Sequence, residues 1–188
     1  MNIFFTIILM TGTIMASEIE TPEYQLLDKD GQFEIRMYEP MIIAITNINS
    51  NYRESTSTGF RRIANYIFGG NNQKMKIEMT APVISTSPVN NSGIYDIAFV
   101  MPKEYKLSNL PEPNYDNIII QEKDFGKMAV LRFGGWATET KVIKYQRKLE
   151  KLLKNNQYRV SGKFMVSQYN SPWALPPFRK NEIMVPIK

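Results

Sequence analysis

Apolar and polar residues alternate along several short segments of this chain, which is the pattern of strands with one buried face. Phe33-Glu-Ile-Arg-Met-Tyr38 alternates throughout, and Met41 to Ile48 is a more apolar segment of the same kind. Such segments are separated by turn residues, for example Asn90-Asn-Ser-Gly93. The eight predicted strands are 33–38, 41–48, 83–87, 94–101, 118–123, 127–133, 163–169 and 183–187.

Two longer segments have the period of amphipathic helices. The first is predicted to begin after Asn51, which forms a capping-box pattern with Glu54, and to stop at Gly69-Gly70. The second is predicted to begin at Thr138, as its cap, and to run to about Asn155. The apolar side of the first helix consists of Phe60, Ile63, Ala64, Ile67 and Phe68.

The order of these elements is the same in both halves of the chain: strand, strand, helix, strand, strand. The two pseudo-repeats cover about 33–101 and 118–187, and they share this order without residue-level identity. We therefore predict an α+β fold. Its form is a distorted antiparallel eight-stranded β-barrel built from two ββαββ pseudo-repeats, with both helices packed outside.

The composition excludes several classes of enzyme, because the 188 residues include no histidine and no cysteine. Cysteine proteases, histidine-based triads and ordinary zinc sites are ruled out. The sequence also has no P-loop, no paired Gly-x-Gly-x-x-Gly and no EF-hand spacing. We therefore predict no catalytic residue and a protein that is not an enzyme.

The net charge of +5 is mild, and much of it lies on the second predicted helix. Four lysines recur there at helical spacing, opposite the apolar side: Lys141, Lys144, Lys148 and Lys151. This stripe is either a solvated helix face or a surface for nucleic acid. Because no aromatic residues alternate with the lysines to stack on bases, we expect a solvated face and no nucleic-acid binding.

Residues 1–16 are uncharged and mostly apolar, with a hydrophobic block from Ile3 to Met10 and the small pair Ala16-Ser17 behind it. This pattern predicts a secretory signal, followed by a single domain at 17–188 that is exported to the periplasm of a bacterium-like cell or outside the cell. The absence of Lys or Arg before the block leaves a cytoplasmic protein as the alternative. The block is short for a transmembrane span, so we expect no stable membrane insertion after cleavage.

Five segments together resemble the SOUL haem-binding family, and the resemblance covers nearly the whole chain from Tyr24 to Ile187. The segments are Phe33–Pro40, Tyr66–Asn71, Lys76–Val83, Met101-Pro102 and Tyr169–Glu182. The family is known for a distorted barrel of two pseudo-repeats, which agrees with the predicted fold. The resemblance implies that haem or another tetrapyrrole binds in a shallow apolar pocket, between the first helix and the loop before the last strand.

A porphyrin is a flat apolar plate with two carboxylates, so it needs aliphatic or aromatic contact on its faces and Arg or Lys at its rim. The first helix and the proline-rich loop before the last strand carry such side chains. The predicted haem-binding residues are Phe60, Arg61, Ala64 and Phe68 on the helix, and Trp173, Leu175, Phe178 and Arg179 in the loop.

Several of these features have a second interpretation. Trp173 and Phe178 fit either a rigid loop that grips a flat ligand or core residues that cover the end of the barrel. Gly59, inside the first helix, permits either the close approach of a ligand or close packing of helix on sheet. Characterised relatives place basic residues where this chain has Ser57 and Asn65. Carboxylate binding would then fall to Arg61, Arg62 or Arg179.

At the position of one proposed iron ligand, this chain differs from some members of the family. Some members carry a histidine between the Arg and Tyr of the first-strand motif, where this chain has Met37. A Met thioether or a Tyr phenolate ligates haem in other proteins, so Met37 is a possible ligand. However, Met37 shares a strand face with Phe33 and Ile35, which favours a place in the core. Other members bind without a protein ligand, and we expect that mode here.

The predicted function is non-catalytic binding of haem or a related tetrapyrrole by a monomer, which would act as a carrier, scavenger or buffer. Two alternatives come from other classes. The first is a haem-modifying enzyme that removes iron or breaks haem down, with a tyrosine or Glu182 as proton carrier. The second is a small-molecule or protein interaction module of the same fold.

Overall fold

Nine strands form one antiparallel sheet with two helices in the computed structural model, which describes residues 19–89, 93–171 and 173–188. The strands are β1 (Tyr24–Asp30), β2 (Phe33–Tyr38), β3 (Met41–Asn49), β4 (Val83–Thr86), β5 (Ile94–Val100), β6 (Ile119–Lys123), β7 (Gly126–Gly134), β8 (Met165–Gln168) and β9 (Lys180–Pro186). The helices are α1 (Tyr52–Ile67) and α2 (Glu139–Asn155). The predicted signal at 1–16, the turn residues 90–92 and Pro172 lie outside the described residues.

The eight predicted strands are confirmed to within a few residues at their ends, and the prediction was one strand short. The missing strand is β1, which pairs with β2 and has every residue exposed. Its register with β2 shifts between Leu26 and Asp28, at a bulge. An exposed edge strand buries neither face, so β1 lacks the alternation by which the other strands were predicted.

The order of strands in the sheet is β1-β2-β7-β9-β8-β4-β5-β3-β6. Within the described ranges, β1 and β6 each pair on one side only, so the sheet is an open half-barrel and the predicted closed barrel is wrong. The sheet is nevertheless curled. Tyr38 of β2 and Ile43 of β3, from the second and eighth strands in the order, belong to one buried cluster.

The two predicted repeats exchange their first strands. β2, at the start of the first repeat, pairs with β7 of the second, and β6, at the start of the second repeat, pairs with β3 of the first. Each half of the sheet is therefore completed by a strand from the other repeat.

Both helices begin and end close to their predicted limits. Asn51 caps α1, since its Oδ1 accepts a hydrogen bond from the backbone N–H of Glu54 at 3.0 Å. The hydroxyl of Thr138 caps α2 by accepting from the N–H of Lys141 at 3.4 Å. These caps satisfy donors that have no partner inside the helix. No helix in the described ranges is long and apolar enough to span a membrane.

The two faces of the sheet carry two separate buried clusters. On one face, α1 packs against β3 and β5, and α2 packs against β7 and β9. The other face is the interior of the curl, with Val130 and Met184 among its buried residues. Both helices therefore lie outside the curled sheet, as predicted, and each helix leaves one flank open to solvent.

Candidate functional site

A groove of about 420 Å³ lies between α1 and the segment 168–179, over β4 and β5. Its volume is within the range of roughly 300–1,000 Å³ that small-molecule sites occupy. Two predicted haem-binding residues, Phe60 and Arg179, line it. The other lining residues are Arg53, Thr56, Ser57, Val83, Ser85, Ile97, Trp136, Gln168 and Asn170.

The depth of the groove depends on how closely α1 approaches the sheet. Gly59 is buried, and a Cβ added there would lie 2.3 Å from Cγ1 of Ile97 on β5. Such a distance is a steric overlap, so glycine is required for close packing of helix on sheet. The packing interpretation of Gly59 is therefore correct, and the neighbouring Phe60 is left half-buried at the edge of the groove.

Ala64 and Phe68 continue the face of α1 that begins with Phe60, because residues four apart on a helix are neighbours. Ala64 is half-buried and lines a small depression together with Phe60 and Val83. Phe68 caps the end of the helix and has 57% of its surface exposed. The three apolar residues among the four predicted on this helix form one strip that leads away from the groove.

Arg179 is 7% exposed, and its contacts organise one wall of the groove. Its guanidinium lies 3.6 Å from the ring centroid of Trp136. Its Nε donates to the carbonyl of Ala174 at 2.9 Å, and Nη2 donates to the carbonyl of Ser171 at 3.3 Å. Arg179 therefore holds the loop before β9 against the aromatic ring.

Trp136 is the main residue that sequence reasoning missed. It follows the end of β7, and the pairing of Gly134 with Lys180 of β9 brings it beside the loop. The sequence offered one indication, which was the residue type itself: the chain has only two tryptophans, and large aromatic side chains often line ligand sites. Its position near the loop depends on strand pairing between distant segments, which periodicity does not reveal.

The three predicted apolar loop residues are at the surface. Trp173, Leu175 and Phe178 are 91%, 65% and 75% exposed. The interpretation of Trp173 and Phe178 as core residues is therefore wrong. They do not line the groove, although the loop that carries them contributes Arg179 to it.

The groove is basic. Arg53 and Arg179 line it, and none of its lining residues is acidic. Arg61 is exposed on the same helix, where its guanidinium donates to the hydroxyls of Ser57 and Thr58. Arg62 turns away to the carbonyl of Asn47 on β3. Arg53, Arg61 and Arg179 thus give this side of the molecule a local charge that complements carboxylates.

The structure does not bring Met37 to the groove. Met37 is half-buried on β2, opposite Lys127 of β7. In the sheet, β2 is three places from β8, the strand that ends at the groove residue Gln168, and three strand spacings amount to about 14 Å. Among the described residues, no group of three or more acidic side chains is placed to hold a metal ion.

Two tyrosines are next in sequence to residues that line the groove. Tyr169, between Gln168 and Asn170, donates its hydroxyl to Glu182, and the other tyrosine is Tyr52, the first residue of α1. It is buried and packs against Tyr95, with ring centroids 5.7 Å apart. Burial raises the pKa of Tyr52 to about 12. Because tyrosine ligates iron as a phenolate, this environment disfavours Tyr52 as a ligand.

Glu182, the candidate proton carrier, belongs to a different part of the molecule. It is fully buried, and its carboxylate binds Arg36 at 2.8 Å and accepts a hydrogen bond from the Tyr169 hydroxyl at 2.6 Å. Arg132 also donates to it, at 3.2 Å. Burial opposes ionisation, but Arg36, Tyr169 and Lys180 together outweigh it and lower the pKa of Glu182. This carboxylate is engaged in an ion-pair network and does not line the groove.

Comparison with known proteins identifies relatives along nearly all of the chain. The family model described as "SOUL heme-binding protein" matches residues 19–186. Heme-binding protein 2 of Homo sapiens is 29% identical over 179 residues, which cover 89% of this chain and 86% of that protein. Heme-binding protein 2 of Mus musculus is 30% identical over 160 residues, covering 81% of this chain and 77% of that protein.

Solved structures with a similar fold are more distant in sequence. The C-terminal domain of EcmrR superposes with a TM-score of 0.63 at 14% identity, covering 88% of this chain and 98% of that chain. A hydrolase from Listeria innocua has a TM-score of 0.58 at 7% identity, covering 84% and 92%. At these identities the likeness concerns the fold alone.

Proposed function

Because the chain belongs to the SOUL heme-binding protein family, we propose that it binds haem or a related tetrapyrrole, without catalysing a reaction, in the groove between α1 and the segment 168–179. One observation carries the proposal. The groove combines the aromatic rings of Phe60 and Trp136 with Arg53 and Arg179, and none of its lining residues is acidic. An apolar plate with two carboxylates needs this combination.

Different residues of the groove would contact the apolar faces and the carboxylates of such a ligand. Phe60, Trp136 and Val83 offer apolar surface to the faces of a porphyrin. Arg53 and the exposed Arg61 offer guanidinium donors to its carboxylates, whereas Arg179 already holds the loop. Arg179 then acts mainly by fixing Trp136, with which it is stacked.

The residues of the groove also support a particular binding mode. When bound, haem supplies an iron that can bind further ligands and exchange electrons. The lining residues include no histidine, cysteine, methionine or tyrosine, so none of them is a usual iron ligand. This supports binding through apolar contact and carboxylate pairing, which is reversible and not very selective among porphyrins.

Reversible binding in an open groove is appropriate for a carrier, scavenger or buffer, which acts as a monomer on a tetrapyrrole. The apolar segment at 1–16 supports export of this carrier, and the mature domain would contain no cysteine to oxidise outside the cytoplasm. The enzymatic alternative has less support, because the groove has no carboxylate to carry protons and Glu182 is held in an ion-pair network elsewhere.

A haem titration followed by Soret absorbance tests the proposal. The wild-type chain should show a saturable one-to-one shift. The variant Phe60→Asp/Arg53→Glu removes an apolar contact and reverses a charge at the groove, so its affinity should fall by about tenfold or more. Circular dichroism should show that the variant is folded.

The matched control is Tyr115→Asp/Arg147→Glu, which makes the same kinds of change at two exposed residues outside the groove. Its affinity should equal that of the wild type. Nonsaturable binding, or equal loss in the two variants, would contradict the proposal and favour the interaction module.

A further inference from the structure

A second cavity, of about 680 Å³, lies at the end of the sheet where β2 turns into β3. It is larger than the groove and shares no lining residue with it. Its walls come from the segments 20–23, 39–42, 100–103 and 105–108, together with Thr80 and Glu122. Nothing in the proposed tetrapyrrole binding uses this cavity.

Hydrogen bonds between these segments fix the shape of the cavity. The carbonyl of Glu20 accepts from the N–H of Ala81 at 2.8 Å, and its carboxylate accepts from the N–H of Lys103 at 2.8 Å. The N–H of Met101 donates to the carbonyl of Ile42 at 2.8 Å. The segment before β1 and the loop after β5 are thus fastened to each other and to β3.

Much of the wall is apolar. Met101 is buried, Ile42 and Met41 are half-buried, and Leu107 is 45% exposed. The half-buried ring of Tyr105 and three prolines, Pro22, Pro40 and Pro102, complete this surface. An aliphatic or aromatic group placed here would lose contact with water and gain dispersion contacts.

The charged residues of the cavity are mostly acidic, although the whole chain has a net charge of +5. Four glutamates line it against two lysines, Lys103 and Lys106. Lys103 is already paired with Glu23, with Nζ 2.8 Å from the carboxylate. Within the described residues, the carboxylates of Glu39 and Glu122 have no ion pair and no hydrogen bond. They are therefore available to a positively charged group.

We propose that this cavity is a second ligand site, which takes an amphipathic organic cation: an amine or quaternary ammonium compound with an aliphatic or aromatic body. The apolar wall accepts the body, and Glu39 and Glu122 attract the charged end. The same carboxylates repel an anionic compound such as a tetrapyrrole with its carboxylates. The two sites of the protein therefore select ligands of opposite charge.

Two fluorescent probes with one fluorophore test this selection on the full chain. Dansylcadaverine carries an ammonium group, and dansylglycine carries a carboxylate. Dansylcadaverine should bind saturably, with brighter and blue-shifted emission, and about tenfold or more tightly than dansylglycine. The variant Glu39→Gln/Glu122→Gln removes both unpaired charges, so dansylcadaverine should bind to it about tenfold more weakly.

The matched control is Asp30→Asn/Asp116→Asn, which removes two exposed carboxylates outside the cavity and should leave the affinity for dansylcadaverine unchanged. Phe60→Asp in the groove should also leave it unchanged, which separates this site from the tetrapyrrole site. Equal affinities for the two probes, no saturable binding, or equal losses in the glutamate variant and its control would overturn the proposal.

Discussion

At the scale of single residues, two buried positions constrain this molecule in different ways. Gly59 allows α1 to lie against Ile97, which sets the position of the helix beside the groove. Glu182 and Arg36 form a fully buried pair within the curl of the sheet, with Arg132 and Tyr169 as further partners. The close packing at Gly59 requires that this residue has no side chain. The buried position of Glu182 and Arg36 requires that their charges neutralise each other and those of their partners.

Replacing Gly59 by alanine should destabilise the protein, because its Cβ would overlap Ile97 and force the helix away from the sheet. We expect the free energy of unfolding to fall by about 1–3 kcal/mol, as for other overpacked sites. Urea denaturation measures this change. Gly134→Ala is the control, since its Cβ would meet its nearest neighbour at an ordinary 3.5 Å. Equal stability of the two variants would contradict the close-packing argument.

Removing the charge of Glu182 should destabilise the protein strongly, because Glu182→Gln leaves two cations, Arg36 and Arg132, with the single carboxylate of Glu34 between them. We expect a loss of about 3–5 kcal/mol in urea denaturation, as is typical when one partner of a buried ion pair is removed. Glu23→Gln breaks the exposed pair with Lys103 and should leave the midpoint unchanged. A midpoint shift as small as that of the control would show that the network does not stabilise the fold.

The same network predicts how stability depends on pH. Burial opposes ionisation of Glu34 and Glu182, but Arg36 and the other partners of each carboxylate together lower both pKa values below their usual range. A lowered pKa in the folded state stabilises the protein above the unfolded-state pKa, which is near 4.3 for glutamate, and this contribution is lost as the pH falls through the folded-state pKa. The urea midpoint of the wild type should therefore fall steeply below about pH 4, and Glu182→Gln should reduce this slope.

At the scale of elements, the loop before β9 is held firmly at its base and exposes apolar side chains at its surface. Arg179 donates to the carbonyls of Ser171 and Ala174, and the N–H of Phe178 donates to the carbonyl of Leu175. Leu175 and Phe178 remain exposed, on the same loop as the groove residue Arg179. Such an arrangement presents apolar surface to a ligand without a large loss of loop entropy on binding.

Replacing the exposed apolar residues of this loop should affect ligand binding without affecting stability. Leu175→Ser/Phe178→Ser removes surface that contacts little of the folded protein. We therefore expect the urea midpoint to stay unchanged and the affinity for haem to fall about fivefold to tenfold. The control Leu107→Ser/Ile119→Ser changes two exposed apolar residues that are not part of the loop. Unchanged haem affinity in the loop variant would exclude these two residues from the site.

At the scale of the whole molecule, the exchange of first strands makes the two repeats interdependent. β2 completes the half of the sheet that contains β7, and β6 completes the half that contains β3. Each α-helix also packs on strands whose pairing depends on this exchange. A single repeat therefore has one strand without its partner and an incomplete sheet.

Neither repeat should fold by itself. We expect the fragments 1–106 and 107–188 to be largely unfolded when separate, because each lacks the strand that completes its sheet. Mixing them should restore strand content, as measured by circular dichroism, together with haem binding. A fragment that folds alone with a cooperative thermal transition would show that the exchanged strands are dispensable.

The sequence by itself determined the local elements of this protein. Eight strands and both helices were predictable, because burying one face imposes a period of two or of 3.6 residues and because Asn51 and Thr138 cap the helices. The family was also predictable, since its motifs recur in order. The apolar face of α1 that includes Phe60 followed from the same periodicity, whereas the prediction that this face binds a ligand came from the family resemblance.

Only the tertiary structure decided which strands pair and which side chains meet. β1 could not be predicted from alternation, because an edge strand exposed along its whole length has no buried face to mark it. Trp136 reaches the groove because β7 pairs with β9, and Glu182 is distant from it because alternate residues of β9 face opposite sides of the sheet. The open half-barrel and the acidic cavity likewise depend on contacts between segments far apart in the chain, which local periodicity does not encode.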